Sequence, residues 1–206
     1  MTTPTHLIRL ATVEDAPAVQ AIYAPYVRDT AISFEYDPPT VEEMARRIST
    51  TTERCPFLVI ERDGEVRGYA YASTLRARRA YDWSVETTVY IREDSLGMGY
   101  GHALYTSLIE VLRLLGYGQA YAGISLPNPG SRALHERVGF THLGTYERVG
   151  YKFGAWHSVG WWQLLLDLPE GEPPPPRSIA DVSGTPELRA ALDAGVPLAL
   201  PKPPAV

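Results

Sequence analysis

Leu96-Gly97-Met98-Gly99-Tyr100-Gly101 is the stretch that decides how this chain is read. Before it, residues 84–91 are β-branched and alternating, the pattern of a strand. After it, Leu104, Leu108, Val111, Leu112 and Leu115 recur at helical spacing, and Gly116 supplies a stop. Glycines let the backbone take positive φ and approach a ligand closely. A helix N-terminus adds free N–H groups and the positive end of the helix dipole. The combination is either an ordinary turn or an anion cradle suited to a pyrophosphate. Two common nucleotide motifs do not fit. The only lysines are Lys152 and Lys202, so the loop has no Walker lysine, and G-x-G-x-G is not the G-x-G-x-x-G dinucleotide fingerprint.

Outward from the loop, the chain reads as an alternation of short elements. Residues 8–10 suggest a strand, and Thr12 caps a helix carrying Ala18, Val19, Ile22, Tyr23 and Tyr26 on its apolar side. A loop with Phe34 and Glu35 follows, then a capping box at Thr40-Val41-Glu42-Glu43 opens a second helix through Ile48. Strands at 57–61 and 66–72 flank Asp63-Gly64, a hairpin turn signal. Residues 76–82 are a polar, basic connection. A strand at 120–124 precedes Asn128-Pro129, an N-cap and first-turn proline for a short helix ending at Gly139. Two long strands, 141–151 and 156–166, complete the order βααβββαβαββ. This is the order of an α+β or mixed-sheet domain.

Composition narrows the function. The chain has 206 residues, room for one domain and a short appendage. Its 19 Lys+Arg against 24 Asp+Glu give a net charge of −5, which argues against nucleic-acid binding by bulk positive charge. No apolar run is long enough for a membrane helix, no export signal is visible, and the single Cys55 excludes a disulfide framework. A cytoplasmic protein is expected. Cys55 reads as a small core residue, and His6, His102, His142 and His157 lack the spacing of a metal site, so no metal is expected. Ten of the 18 prolines lie at 169–206, which splits the chain into a domain at 1–168 and a proline-rich tail. In the tail, Pro173 to Pro176 suggest a stiff extended spacer. Thr185-Pro186-Glu187 followed by Leu188, Ala191 and Leu192 suggests a short helix at about 186–194. It is either a marginal helix in a mostly flexible tail or a stripe that docks on the domain or on a partner subunit.

The glycine loop, a strand before it and a long helix after it are similar to the acetyl-CoA loop of the GNAT acetyltransferase superfamily, with Leu96 where Gln or Arg is usual. The similarity extends through residues 78–90, through Leu126-Pro127-Asn128 and His135-Glu136-Arg137-Val138-Gly139-Phe140, and through residues 150–157. Over about 7–168 the chain resembles the phosphinothricin N-acetyltransferases, which acetylate phosphinothricin and often methionine sulfoximine. The resemblance implies an α+β GNAT fold, with a mixed, mostly antiparallel twisted sheet flanked by about four helices, and an N-acetyltransferase using acetyl-CoA on a small anionic amino acid, by direct attack and without a metal.

It also implies roles. Glu86 matches the family's general base, which removes a proton from the amine; its other reading is a solvent-facing strand residue beside Thr88 and Tyr90. His135 matches a residue that protonates the leaving thiolate, and otherwise is a packing histidine. Val89, Tyr90 and Ile91 supply strand backbone to the cofactor, Leu96, Gly97, Met98, Gly99, Tyr100, Gly101 and His102 form its loop, and Asn128 meets it or merely caps a helix. Arg76 and Arg78, with Tyr81, are expected to bind an anionic substrate if the segment is extended enough to point both arginines one way; otherwise they are a solvated basic run. Phe34, Thr88, Ser125 and Val159 align with pocket positions. Family members usually dimerise, so Phe153, Trp156, Trp161 and Trp162 are core or homodimer-interface aromatics. Two rivals remain: an acetyltransferase for another amine or an antibiotic, and a non-catalytic acetyl-CoA-binding module. The tail is expected to take no part in acetyl transfer.

Overall fold

A computed structural model describes residues 5–168 and 170–199. Seven strands form one sheet in the order β1-β2-β3-β4-β5-β7-β6. They are β1 His6–Leu10, β2 Phe57–Arg62, β3 Glu65–Thr74, β4 Ser84–Ile91, β5 Gln119–Leu126, β6 Thr141–Lys152 and β7 Ala155–Leu165. All neighbours run antiparallel except β4 and β5. Helices α1 Ala16–Asp29, α2 Val41–Thr52, α3 Tyr100–Leu115 and α4 Pro129–Arg137 flank the sheet, and two more, α5 Ile179–Val182 and α6 Pro186–Asp193, follow it.

Local chemistry explains the turns. Asp63 and Gly64 both take positive φ, 54° and 80°, the twist a two-residue hairpin needs. Thr40 Oγ1 accepts from Glu43 N at 3.2 Å and Asn128 Oδ1 from Ser131 N at 3.1 Å, so α2 and α4 start where the caps predict. The first helix begins later than expected. Residues Val13–Asp15 form a 3-10 turn, in which Asp15 accepts from Thr12 N at 2.8 Å and pairs with both Arg9 guanidinium nitrogens at 2.7 Å.

The sheet is covered on both faces. One face packs Leu58, Ile60, Ala70, Val85 and Ile91 against α3. The other packs Phe57, Val59 and Tyr69 against α1 and α2, with Tyr71 and Tyr90 at its margin. Side chains alternate along β4. Glu86, Thr88 and Tyr90 therefore share the α1–α2 face, where each is half-buried.

The parallel pair β4–β5 holds together only from Ser84–Gln119 to Glu86–Tyr121, although both strands continue further. Beyond Glu86 they part. Arg92 N still donates to Arg67 O of β3 at 2.8 Å, whereas Ile91 O accepts from Tyr26 Oη at 2.6 Å. Backbone groups alternate along a strand, so Val89 and Ile91 direct their amides and carbonyls into the gap.

The chain after residue 168 is not a free appendage. Arg177 N donates to Leu115 O at 2.8 Å, its guanidinium reaches Leu114 O, and together they satisfy the end of α3. Trp83 Nε1 donates to Pro174 O at 2.7 Å. Val182, Leu188, Ala191 and Leu192 are buried with α3. Ser107, fully buried in that helix, donates to Leu192 O at 2.7 Å and accepts from Gly195 N at 3.0 Å. A Cβ at Gly195 would stand 1.9 Å from Ala103 O, so only glycine permits this approach. Pro201, Lys202 and the other residues at 200–206 lie outside the described residues, as do residues 1–4 and Pro169.

Candidate active site

The gap between β4 and β5 opens into a cleft of about 1060 Å3 that runs from the glycine loop to the segment after α1. Most of the expected site residues meet there. Glu86, Thr88, Val89, Tyr90 and Ile91 form its floor on β4, and His135 and Asn128 come from α4 and its cap. Leu96, Gly97, Gly99, Tyr100, Gly101 and His102 line one end, and Phe34, Ser125 and Val159 the other.

The loop end is built for backbone contact. Gly97 and Gly99 take φ of 76° and 77°, a conformation that side-chain-bearing residues rarely adopt, and Gly97 has open space around it. Gly101 serves packing: a Cβ there would lie 2.9 Å from Leu134 Cδ2, so glycine brings α3 against α4. Met98 differs from expectation. Its side chain is 5% exposed and belongs to the core, anchoring the loop from beneath, so only its backbone is available to a ligand. Leu96 is 58% exposed and offers no donor to a phosphate. Arg137, absent from the sequence expectations, lines the cleft near His102; burial and then the Arg137 charge lower the His102 pKa, so the fixed cation of this end is the arginine.

Glu86 is half-buried at the point where the strands part. Burial raises its pKa above the usual carboxylate range, and the charge of Arg76 opposes that rise. A carboxylate raised in this way is a stronger base than a free one and is suited to accept a proton.

His135 is 3% exposed, and both ring nitrogens meet protein atoms. Nδ1 lies 2.7 Å from Ser131 O and Nε2 2.8 Å from Tyr105 Oη. A carbonyl only accepts, so Nδ1 carries the proton and Nε2 accepts from the phenol. Burial lowers the His135 pKa, against the opposing Ser131 carbonyl, and favours this neutral form. The nitrogen needed for acid catalysis thus holds no proton in this arrangement, contrary to the expected role.

Arg76, Arg78 and Tyr81 do not line the cleft. The extended geometry they required is missing: β3 ends at Thr74, and Arg79–Tyr81 form a 3-10 turn capped by Arg78, which turns these side chains outward. Arg76 Nη1 folds back to Leu75 O at 2.8 Å, and the residue acts on the cleft only through its charge on Glu86. The opposite end instead carries Glu35, which accepts from Tyr23 Oη at 3.0 Å and Arg47 Nη1 at 2.8 Å. Tyr23, Tyr26, Tyr71 and Tyr105 also line the cleft. The sequence had placed Tyr23 and Tyr26 on a helix's apolar side; their hydroxyls are the signal that they face something polar.

A sheet split beside a glycine loop makes a cleft with backbone donors at one end and a carboxylate on its floor, the layout of an enzyme that brings two reactants together. Residues 8–161 match the family described as "Acetyltransferase (GNAT) domain", and the chain belongs to that family. Within it, the chain is an acyltransferase of the phosphinothricin and methionine sulfoximine N-acetyltransferase type. It is 40% identical over 176 residues to a phosphinothricin N-acetyltransferase of Streptomyces viridochromogenes, covering 85% of this chain and 94% of that protein. It is 34% identical over 168 residues to an L-methionine sulfoximine/L-methionine sulfone acetyltransferase of Pseudomonas aeruginosa, covering 81% and 98%. A crystal structure of a phosphinothricin acetyltransferase from Sinorhizobium meliloti in complex with acetyl-CoA superposes with TM-score 0.78 at 35% identity, covering 84% of this chain and 94% of that one. Among the described residues, no helix is long and apolar enough to cross a membrane.

Proposed function

We propose that this protein moves the acetyl group of acetyl-CoA to the amino group of a small amino acid of the phosphinothricin or methionine sulfoximine class, with Glu86 as base. The observation that carries the reading is the raised pKa of Glu86 at the parting of β4 and β5. In this reading the glycine-loop amides and Arg137 receive the phosphates, which offsets the absence of a donor at Leu96. Backbone groups of Val89 and Ile91 meet the pantetheine arm and the acetyl oxygen. Glu86 takes a proton from the acceptor's ammonium, directly or through water. The freed amine forms the N–C bond as the C–S bond breaks, and the second proton that the nitrogen sheds in becoming an amide ends on the departing thiolate, through water. A thiolate is a far weaker base than an amide anion, so it is the group expelled from the carbon that bears both sulfur and nitrogen and leaves without a strong acid, in keeping with a neutral His135. His135 then orients Tyr105 and seals the wall between α3 and α4. Juxtaposition of amine and thioester supplies several kcal/mol of about 7–11 attainable by effective molarity.

The test is thiol release from acetyl-CoA with a panel of amino acids. Release with phosphinothricin or methionine sulfoximine is expected. Glu86→Gln should lower kcat/KM by about 10²- to 10⁴-fold and leave acetyl-CoA binding unchanged; full activity in that variant overturns the assignment. One observation favours a second reading. The acceptor end carries Glu35 and Glu86, and the expected arginines lie outside it, which suits an amino acid with a neutral side chain. Release with neutral amino acids in preference to phosphinothricin would select it. The expected homodimer belongs to the same proposal and is supported by exposed Tyr146, Val149, Phe153 and Trp156 on β6, β7 and their turn; light scattering reads the mass.

A further inference from the structure

The segment after α1 walls the acceptor end of the cleft with Ile32, Ser33, Phe34 and Glu35. It is a loop, and a loop defines a pocket only if something fixes it. Lys152, at the end of β6, is 2% exposed. A lysine is almost never buried so completely without a compelling set of partners. Here all three ammonium protons are engaged: Nζ donates to Val27 O at 2.6 Å, Thr30 O at 2.8 Å and Ser33 O at 2.7 Å. These carbonyls span the last turn of α1 and the loop beyond it, where helix carbonyls lack intrahelical partners and the dipole is negative. Burial pulls the lysine's pKa down and Glu35 opposes this; three carbonyl acceptors demand the charged form, because a neutral amine has one proton fewer to give.

Two further contacts run between the same segments. Tyr36 Oη donates to Tyr151 O. The Phe34 ring lies on Gly150, where a Cβ would stand 2.2 Å from Phe34 Cε2. The β6–β7 hairpin thus holds residues 30–36 at consecutive points, and the ammonium is the charged one. Ser33 passes the constraint inward, since its hydroxyl meets Tyr23 Oη at 2.7 Å and Glu35 N at 3.2 Å.

We propose that Lys152 is the positioning residue of the acceptor wall: its ammonium fixes the turn after α1 so that Phe34 and Glu35 stand at the place where the acceptor amino acid lies. The proposal rests on the acceptor occupying that end of the cleft. Lys152 touches neither substrate and acts only through the loop. The glycine loop lies at the other end, so acetyl-CoA binding is independent of it.

The experiment is steady-state kinetics of Lys152→Met with L-methionine sulfoximine and acetyl-CoA varied separately. The acceptor KM should rise by about tenfold to a hundredfold, the range a misplacement of about 1 Å produces, while the acetyl-CoA KM stays within about twofold of wild type. Gly150→Ala, which keeps the ammonium but drives a methyl group into Phe34, should give the same split. A folded Lys152→Met with an unchanged acceptor KM overturns the proposal, and so does an equal rise in both KM values, the mark of general destabilisation. If Lys152→Met does not fold, Lys152→Arg is read in the same way, since a planar guanidinium cannot reproduce the three-carbonyl tripod: a raised acceptor KM alone supports the proposal, and any other result overturns it. Wild-type protein that releases no thiol with any amino acid refutes the acetyltransfer reading itself, a different outcome from an active wild type with an indifferent variant.

Discussion

Replacing Leu192 by alanine removes a side chain that is 7% exposed and packed with the core on the outer side of α3. Leucine-to-alanine changes in cores cost about 2–5 kcal/mol, the spread depending on how far the site can collapse. Leu192 lies near the end of the described chain on a short helix, Pro186–Asp193. Such an element can settle inward, which selects the lower half of the range, about 2–3 kcal/mol. For a protein of this size each kcal/mol moves the midpoint by about 2–4 °C, so thermal unfolding followed by circular dichroism should report a fall of about 4–12 °C. Ser107→Ala attacks the same seam from the other side. It strips the hydroxyl shared by Leu192 O and Gly195 N and should cost about 1–3 kcal/mol, because both backbone groups are left buried without it. A midpoint shift below about 1 °C in both variants, with full kinetics retained, would mean that the tail does not pack on α3 in solution and would refute the reasoning.

Two more outcomes test the site. Arg76 lowers a Glu86 pKa that burial has raised, so the carboxylate is active only above that pKa and kcat/KM should fall on acidification at a pH above the ordinary carboxylate value of about 4.3; Arg76→Ala should move this acidic limb to higher pH, and an unmoved or lowered limb would show that the two charges do not interact. Arg137→Ala should raise the acetyl-CoA KM by about tenfold with the acceptor KM unchanged, measured by the same thiol release; an effect on the acceptor alone would place the guanidinium at the wrong end of the cleft.

Signals confined to a few neighbouring residues were legible in the sequence. Asp63-Gly64, Thr40 with Glu43, Asn128-Pro129 and the alternating glycines each fix backbone angles locally; the strand expected at 84–91 is Ser84–Ile91, and the helix expected from the glycine loop to about Leu115 is Tyr100–Leu115. What failed depended on distant contacts. The Arg76–Arg78 argument assumed an extended segment, and nothing local reveals that the chain turns there. Met98 alternates with glycines in a loop, yet the core beneath it takes its side chain. The histidine's tautomer is set by Ser131 and Tyr105, on two different helices. Lys152 was noticed as one of two lysines and within the resembling stretch 150–157 but was given no role, because burial by carbonyls 119 to 125 positions away leaves no sequence trace. The docking of the tail had its trace in the stripe of Leu188, Ala191 and Leu192, and the small buried hydroxyl of Ser107 on α3 is a second.

The parting of β4 from β5 turns the upper half of β4 into an edge strand in the middle of a sheet. Edges of this kind invite pairing with other polypeptides, and proteins normally blunt them with charge, proline or a covering element. This one is guarded by its position. Tyr26 already holds the Ile91 carbonyl, and α4 and the glycine loop line the opening, so a second polypeptide strand, with side chains on both faces, is too thick to enter. A slender, unbranched chain carrying amides is not. The protein can therefore display open ladder groups without an aggregation hazard, because the same narrowness that excludes a foreign strand sorts its visitors by thickness.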